Sequence, residues 1–252
     1  MPNQRMAISR RKRQKRSRSR QPELPGTQRV GRGGPRPGAG RKPKGKRAGV
    51  SHKTRPFLDA AHPVHVTMRV AVGIARLRKD KQHRVIRRAL CAVNARTGFG
   101  VVEYSILGNH YHLIVEAKTR IALQTGMQAL NSRVARGLNA AQGREGKVFT
   151  DRYHSRVLDA PRKVRNALVY VLQNARKHEE HRFEGWWELD PCSSAEYFAG
   201  WKDGPLRHRS GQGPPARPPL DEPVVVPPRT WLLRDGWRRL GLISVSEIPK
   251  YA

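Results

Sequence analysis

Apolar and polar residues alternate over a short stretch just after the N-terminal quarter of the chain, and this pattern predicts the first strand of a folded domain. Its apolar members are Val64, Val66, Met68 and Val70, interleaved with His65, Thr67 and Arg69. Apolar residues at helical spacing follow over Lys79–Arg96. Two more apolar stretches, Phe99–Leu107 and His110–Glu116, predict a pair of strands joined by a turn at Gly108-Asn109.

The next segments add a helix, a strand and a final helix. The pattern predicts a long helix over Ile121–Ala141, a strand over Lys147–Leu158 and a last helix over Pro161–His178, whose proline suits the first turn. The order strand, helix, strand, strand, helix, strand is typical of the ferredoxin-like split βαβ arrangement, an antiparallel sheet with two helices on one face. We therefore predict an α+β fold with one further, C-terminal helix, and with the other face of the sheet left for chemistry.

The positive charge of the chain is concentrated in an N-terminal arm. The 252 residues carry 51 lysines and arginines against 19 acidic residues, and the formal net charge of +32 selects polyanions such as nucleic acids as partners. Residues 1–56 alone hold 19 of the basic residues and a single acid, Glu23. We expect this arm to be disordered and to bind DNA, as a plain tether or through Arg36, Arg41 and Lys42, which lie on a narrow Pro/Gly frame.

Composition divides the rest of the chain into three parts. Residues 57–180 contain the predicted sheet domain, residues 181–203 form an aromatic extension, and residues 204–252 form a Pro/Gly-rich linker with a short amphipathic segment. We expect the aromatic rings to pack on their own domain rather than to stack on bases. No stretch approaches the roughly 20 apolar residues of a membrane helix. We expect a cytoplasmic, nucleoid-associated protein that is a monomer or homodimer.

A pair of histidines on the third strand is the strongest candidate for chemistry. His110 and His112 point to the same face of a strand, roughly 7 Å apart at Cα, while Tyr111 between them points to the core. Such a pair is more often a packing feature than a metal site when it stands alone. The last helix adds Tyr170 and, one turn further, Asn174, which supply a nucleophile and a third ligand.

The motifs along residues 62–178, in this order and on these predicted elements, resemble the single-tyrosine HUH transposases. The similarity is to the branch called REP-associated tyrosine transposases. It rests on His65-Val66-Thr67 in the first strand, Leu107 to Leu113 around the histidine pair, Gly146 to Tyr153 before the last helix, and Tyr170-Val171-Leu172-Gln173-Asn174 on it. The chain departs from the family pattern at two places beside the functional positions. The family commonly has Met-Pro where this chain has Leu107-Gly108, and it commonly has proline where this chain has Ala175.

The resemblance implies a metal-dependent endonuclease and strand transferase that cleaves hairpin or repeat-end single-stranded DNA. Tyr170 would attack the phosphodiester, giving a 5′-phosphotyrosine and a free 3′-hydroxyl. His110, His112 and Asn174 would hold the divalent metal, Mg²⁺ or Mn²⁺. The resemblance thus predicts an enzyme that needs no nucleotide cofactor.

Basic residues near these positions are candidates for binding DNA. A free tyrosine has a pKa of about 10, so the nucleophile needs help, which the metal and Lys163 or Lys177 could give. Arg69, Arg152 and Arg156 are candidate phosphate contacts. The two lysines are expected to contact the nucleic acid as well.

Three alternatives remain open at the level of sequence. Tyr153, which lies between an arginine and a histidine, is a competing nucleophile, although it has no ligand partner one turn away. The chain could instead be a non-catalytic, domesticated protein that binds hairpin DNA or RNA. A third reading, a rolling-circle replication protein or conjugative relaxase, would place the tyrosine differently along the chain.

Overall fold

The computed structural model describes residues 57–179, 182, 188–202 and 224–249, and its centre is a four-stranded sheet. The strands are β1 (Val64–Arg69), β2 (Phe99–Ile106), β3 (His110–Ala117) and β4 (His154–Val157). They lie in the order β2-β3-β1-β4, and all neighbouring pairs are antiparallel. Helices α1 (Asp80–Asn94) and α2 (Arg120–Gln142) complete the predicted ferredoxin-like α+β arrangement, which is thereby confirmed.

Helices α1 and α2 cover one face of the sheet. The inward residues of β1 and β3, such as Val66 and Leu113, pack there against apolar residues of both helices. Thr119 caps the start of helix α2, because its side chain accepts the N–H of Ala122. Gly143 caps the end of the helix in the left-handed conformation, with a φ of 59°. This face holds the larger apolar core of the described residues.

The opposite face of the sheet is covered in part by a third helix and by the C-terminal segments. Helix α3 (Pro161–Leu172) packs against Ile114 of β3 through an apolar stripe. The same core takes up Trp201 and residues 224–249, which include α5 (Trp231–Arg234) and a 3₁₀ helix at Gly236–Leu240. The burial of Trp201 agrees with the expectation that the aromatic extension packs on its own domain, whereas the sequence pattern gives no position for the segment after the linker. In the structure both pack against α3 in the same apolar cluster.

Two elements are shorter than the sequence pattern predicts. The fourth strand is confined to His154–Val157, and before it Phe149 makes only an isolated bridge to Val70. The N–H of Arg152 donates to the Asp151 carboxylate and is therefore not available for pairing with a neighbouring strand. The last helix is interrupted at Gln173, where the backbone turns to φ −109° and ψ 12°. A single helical turn, α4 (Asn174–Lys177), follows.

The outer edge of β2 is covered by two pieces of the C-terminal chain. Ser194 donates its N–H to the carbonyl of Tyr104 at 2.9 Å, and Val226 does the same to Val101 at 2.9 Å. Buried Arg78 forms an ion pair with Asp190, with 2.7 Å between Nη2 and Oδ1, which ties the first of these pieces to the loop before α1. Covering an edge strand removes the unpaired backbone groups that otherwise promote aggregation.

Some sequence predictions fall outside the described residues. These include the disordered, DNA-binding role of residues 1–56 and its three named contacts, Arg36, Arg41 and Lys42. Most of the predicted linker is outside them as well. Within the described ranges, none of the helices has the length and apolar character needed to cross a membrane.

One buried carboxyl group gives a prediction for stability. Burial raises the pKa of Glu103 to about 8, against the lowering effect of its hydrogen bond from the Ser194 hydroxyl, which is 2.5 Å long. Because the folded-state pKa lies above the unfolded value, the contribution of Glu103 to stability is complete below about pH 4 and is lost as the pH rises towards 8. Between pH 5 and 8 the free energy of unfolding of Glu103→Gln should therefore rise relative to that of the wild type by at most about 1.4 kcal/mol per pH unit. Urea unfolding at both pH values would measure this difference, and parallel curves would contradict it.

Candidate active site

The two strand histidines lie on the sheet face that carries α3. His110 is opposite Arg69 of β1, and His112 is opposite Thr67 of β1 on one side and Ser105 of β2 on the other. Tyr111 points the other way and is fully buried, and its hydroxyl donates to Asn131 of α2 at 2.7 Å. The alternation of the strand thus separates a structural tyrosine from two histidines that face the last helix.

Helix α3 and the turn after it bring Tyr170 and Asn174 to these histidines. The rings of His112 and Tyr170 meet edge to face with 5.1 Å between their centroids, and His65 of β1 is 5.7 Å from the same tyrosine ring. Asn174 is fully buried on the first residue of α4. Residues far apart in sequence are therefore brought together where α3 packs against the sheet, with Tyr170 in contact with His112 and with Asn174 beside the tyrosine.

His112 is held by two neighbours on β1. Its Nδ1 lies 3.0 Å from the Thr67 hydroxyl and 3.1 Å from Nε2 of His65, whose ring stacks on it. Burial holds the pKa of His112 well below its usual range, and the neighbouring histidines and Arg69 add to this effect. Burial also lowers the pKa of His65 to about 4, with His154 and Arg156 contributing. Both imidazoles are therefore neutral at physiological pH, which is the state that binds a metal.

Three buried polar atoms at the centre of the site have no hydrogen-bond partner among the described residues. They are Nε2 of His112 and both amide atoms of Asn174. Buried polar atoms without partners are rare in folded proteins and point to an ion or water that belongs there. With Nδ1 of His112 occupied by its β1 neighbours, Nε2 is the atom available to a metal. His110 is arranged similarly, since its Nδ1 lies 2.7 Å from the Asn109 side chain.

The donor set fits a divalent metal of intermediate hardness. Among the described residues, histidine, cysteine, aspartate and glutamate alone form no group of three that could hold a metal. A site made by His110, His112 and Asn174 would take its third ligand from an asparagine amide, a residue type outside those four. Two imidazoles and an amide oxygen suit Mn²⁺, and they leave coordination positions open for phosphate oxygens.

Tyr170 is half-buried, and its surroundings act on its hydroxyl in opposite directions. Burial raises the pKa of Tyr170, while the Asn174 amide lies close enough to lower it without meeting the geometry of a formed hydrogen bond. The ammonium group of Lys177 stands 5.2 Å from the centre of the tyrosine ring. Lys163 is instead paired with Asp159 at 2.6 Å on the exposed start of α3. Of the two lysines named from sequence, Lys177 is the one at the tyrosine.

The predicted phosphate contacts divide into two groups. Arg69 and Arg156 lie on the site face, since Arg69 is paired with His110 and Arg156 with His65 in the strand registers. Arg152 comes before β4 and lies outside these registers.

Tyr153 is buried in the core on the α1 and α2 side of the sheet, away from His112. The competing nucleophile is therefore on the wrong face for this site.

A match to a known protein family covers the elements that build this site. Residues 61–174 match the family model described as "Transposase IS200 like", and the match runs from before β1 to Asn174. Over these residues the chain is similar to the IS200-like transposases. The match therefore includes all four residues that converge at the site and ends at the last of them. No curated protein sequence matches the chain significantly.

Two solved structures are similar to part of this chain. One is a REP-associated tyrosine transposase bound to a REP hairpin, with 16% identity, a TM-score of 0.47 and coverage of 57% of this chain and 82% of that one. The other is a putative transposase from Deinococcus radiodurans R1, with 13% identity, a TM-score of 0.34 and coverage of 53% of this chain and 98% of that one.

Three residues beside the site are not among the candidate site residues named from sequence, although His65 and Thr67 belong to one of the motifs that carry the family resemblance. Thr67 and His65 bond His112, and His178 lies beside His110 with 6.4 Å between their ring centroids. The strand alternation of β1 did carry a signal, because His65 and Thr67 share the face opposite its apolar residues. Their pairing with His112 depends on the register of β1 against β3, which no local pattern shows.

Proposed function

We propose that the protein is a metal-dependent transposase that cuts and rejoins single-stranded DNA at hairpin or repeat ends through a 5′-phosphotyrosine intermediate. The observation that carries this proposal is the edge-to-face contact of Tyr170 with His112, beside three buried polar atoms that lack partners among the described residues. A nucleophile and a set of metal ligands in contact are what phosphodiester transfer by a tyrosine requires. The IS200-like transposase family of residues 61–174 supports the same conclusion.

The chemistry assigned to Tyr170 is an in-line displacement at phosphorus. Its Oη forms a bond to phosphorus as the bond from phosphorus to the 3′-oxygen breaks, and the phenol proton leaves while the departing oxygen becomes a 3′-hydroxyl. The new phosphotyrosine keeps the energy of the broken bond, so a second 3′-hydroxyl can reverse the reaction and join strands. Lys177, over the tyrosine ring, favours the phenolate electrostatically.

His110, His112 and Asn174 are the residues that would hold the metal in this proposal. When bound, a divalent ion would polarise the scissile phosphate and stabilise the charge that develops on it. Thr67 and His65 keep the His112 ring in one orientation through its Nδ1. Arg69 and Arg156 contribute positive charge beside the site, where they would guide the DNA backbone.

The proposal is tested by trapping the intermediate. The intact protein is mixed with Mn²⁺ and a hairpin oligonucleotide that carries a single-stranded flank with a label downstream of the cleavage point. We expect a labelled covalent product on a denaturing gel, with the DNA mapped by mass spectrometry to the peptide that contains Tyr170. Tight hairpin binding with no covalent product under any metal would instead favour the non-catalytic alternative.

The support of His112 gives a second prediction. Thr67→Val removes one of the two groups that bond Nδ1 of His112 and preserves the shape of the side chain. Because His65 still bonds the same atom, we expect Mn²⁺ affinity to fall by about tenfold, the lower end for changes behind a metal ligand. Titration of Mn²⁺ by electron paramagnetic resonance measures this. Thr125→Val, an exposed change on α2, is the control, and equal affinities of the two variants would contradict the assigned role of Thr67.

A further inference from the structure

A network of hydrogen bonds joins the helix of Tyr170 to the C-terminal residues 224–249. Arg165 of α3 forms a two-pronged ion pair with Glu247, at 2.7 and 2.9 Å. The same guanidinium donates to the carbonyls of Gly241 at 3.0 Å and Leu242 at 3.2 Å. One side chain thus satisfies four acceptors on the C-terminal segment, in a geometry that arginine forms well.

The other end of the network is Gln173, next to the site. Gln173 is only 3% exposed, and its amide Nε2 donates to the Val245 carbonyl at 2.7 Å. Its Oε1 accepts from Nε of Arg176 at 3.2 Å, and Arg176 in turn donates to the carbonyl of Glu188. A buried glutamine with both ends engaged is held in one conformation.

Gln173 occupies the interruption between α3 and α4. Its backbone leaves helical geometry at φ −109° and ψ 12°, and it separates the turn that contains Tyr170 from the turn that begins with Asn174. In a continuous helix, the backbone hydrogen bonds alone would fix the relative positions of two residues one turn apart. At this interruption some backbone bonds remain, from Gln173 N–H to the Val169 carbonyl at 3.0 Å and from Lys177 N–H to the Gln173 carbonyl at 3.4 Å, and contacts outside the helix add to them. Val245, fully buried against α3, supplies the nearest such contact.

We propose that residues 224–249 are an internal brace for the active site, and that Gln173 is the positioning residue through which the brace sets Asn174 against Tyr170. This inference rests on the proposed function, because it gives that site its alignment. The brace acts on geometry and not on the reacting atoms, since Gln173 points away to Val245 and Arg176. A displacement of about 1 Å at a reacting group can cost roughly 100-fold in rate.

The test compares Gln173→Ala with Asn166→Ala, a change on the same helix outside this network. In the full-length protein we expect Gln173→Ala to slow single-turnover cleavage by about 10- to 100-fold with hairpin Kd within about twofold, and to weaken Mn²⁺ binding. Hydrogen exchange at residues 170–178 should rise, while Asn166→Ala should match the wild type in all four measurements. Gln173→Glu keeps an acceptor for Arg176 but loses the donor to Val245. It should therefore behave like the alanine variant, and wild-type cleavage by Gln173→Glu would overturn the proposal.

Two further outcomes separate this proposal from the proposed function. If the wild type forms no covalent product but Gln173→Ala still raises exchange at residues 170–178, the brace stands and the transposase chemistry fails. If the product forms and Gln173→Ala leaves both cleavage and exchange unchanged, the brace is wrong. Should Gln173→Ala not fold, Glu247→Gln decides, because it loosens the Arg165 end of the network at a partly exposed position. Glu247→Gln should raise the same exchange rates and slow cleavage several-fold, and no change in either would overturn the brace.

Discussion

Replacing Tyr170 with phenylalanine is expected to abolish the covalent DNA adduct and to reduce strand cleavage by at least about 1,000-fold, because a covalent mechanism cannot proceed without its nucleophile. Binding of the hairpin should change little, since the ring and its edge-to-face packing on His112 and His65 are retained. The two quantities are measured on one preparation, cleavage by denaturing gel with labelled DNA and affinity by fluorescence anisotropy.

Tyr153→Phe is the matched control for this experiment. It removes the same hydroxyl from a tyrosine that is buried on the opposite face of the sheet, against α1 and α2. We expect this variant to form the adduct at close to the wild-type rate, with at most a loss of thermal stability. An adduct that persists in Tyr170→Phe and disappears in Tyr153→Phe would reverse the assignment of the nucleophile.

The sheet and its two faces could be predicted from sequence because strand alternation is a local property. The inward residues of β1 and β3 repeat every second position, and this repeat alone puts His110 and His112 on the face away from α1 and α2. The interruption at Gln173 could not be predicted in this way. Apolar spacing continues through it, and the contact that accompanies the break is with Val245, 72 residues away.

The four residues proposed for the centre of the site could be selected from sequence for a similar reason. Each pair lies within a short stretch of chain, His110 and His112 on β3, Tyr170 and Asn174 one turn apart, so that local spacing was enough. The residues that support them belong to other elements. Thr67 reaches His112 only through the register of β1 against β3, and the pairing of Lys163 with Asp159 leaves Lys177 as the lysine at Tyr170.

The C-terminal segments show how little composition alone says about packing. The aromatic extension was expected to pack on its own domain, and Trp201 is buried, but the Pro/Gly-rich linker gave no indication that Trp237 would be buried in the same core, which holds α3. Glu116, at the far end of β3, holds the start of α5 to the sheet, because its carboxylate accepts the N–H groups of Arg229 and Thr230. An acidic residue inside a strand gives no sequence signal of that contact, because its partners are backbone groups 113 and 114 residues away.

The metal site gives the second large effect. His112→Ala removes the imidazole whose Nε2 is buried without a partner among the described residues, so we expect Mn²⁺ affinity to fall by more than about 100-fold, beyond the range for residues behind a ligand. Cleavage should fall by orders of magnitude, because the metal held by His112 would stabilise the charge that develops on the scissile phosphate. Hairpin affinity should stay within a few-fold of the wild type, since His112 is buried and its imidazole is neutral.

His154→Ala is the control for the loss of an imidazole. His154 lies on the same sheet face, paired with Thr67 in the register of β4, but it is exposed and is not a proposed ligand. Its removal should leave Mn²⁺ affinity unchanged, measured by electron paramagnetic resonance, and should alter cleavage only slightly. Chelation provides the independent check, because exhaustive treatment with EDTA should stop the wild type as completely as His112→Ala does. Undiminished wild-type cleavage after chelation would show that Tyr170 works without a metal, and the assignment of His110, His112 and Asn174 as metal ligands would then be wrong.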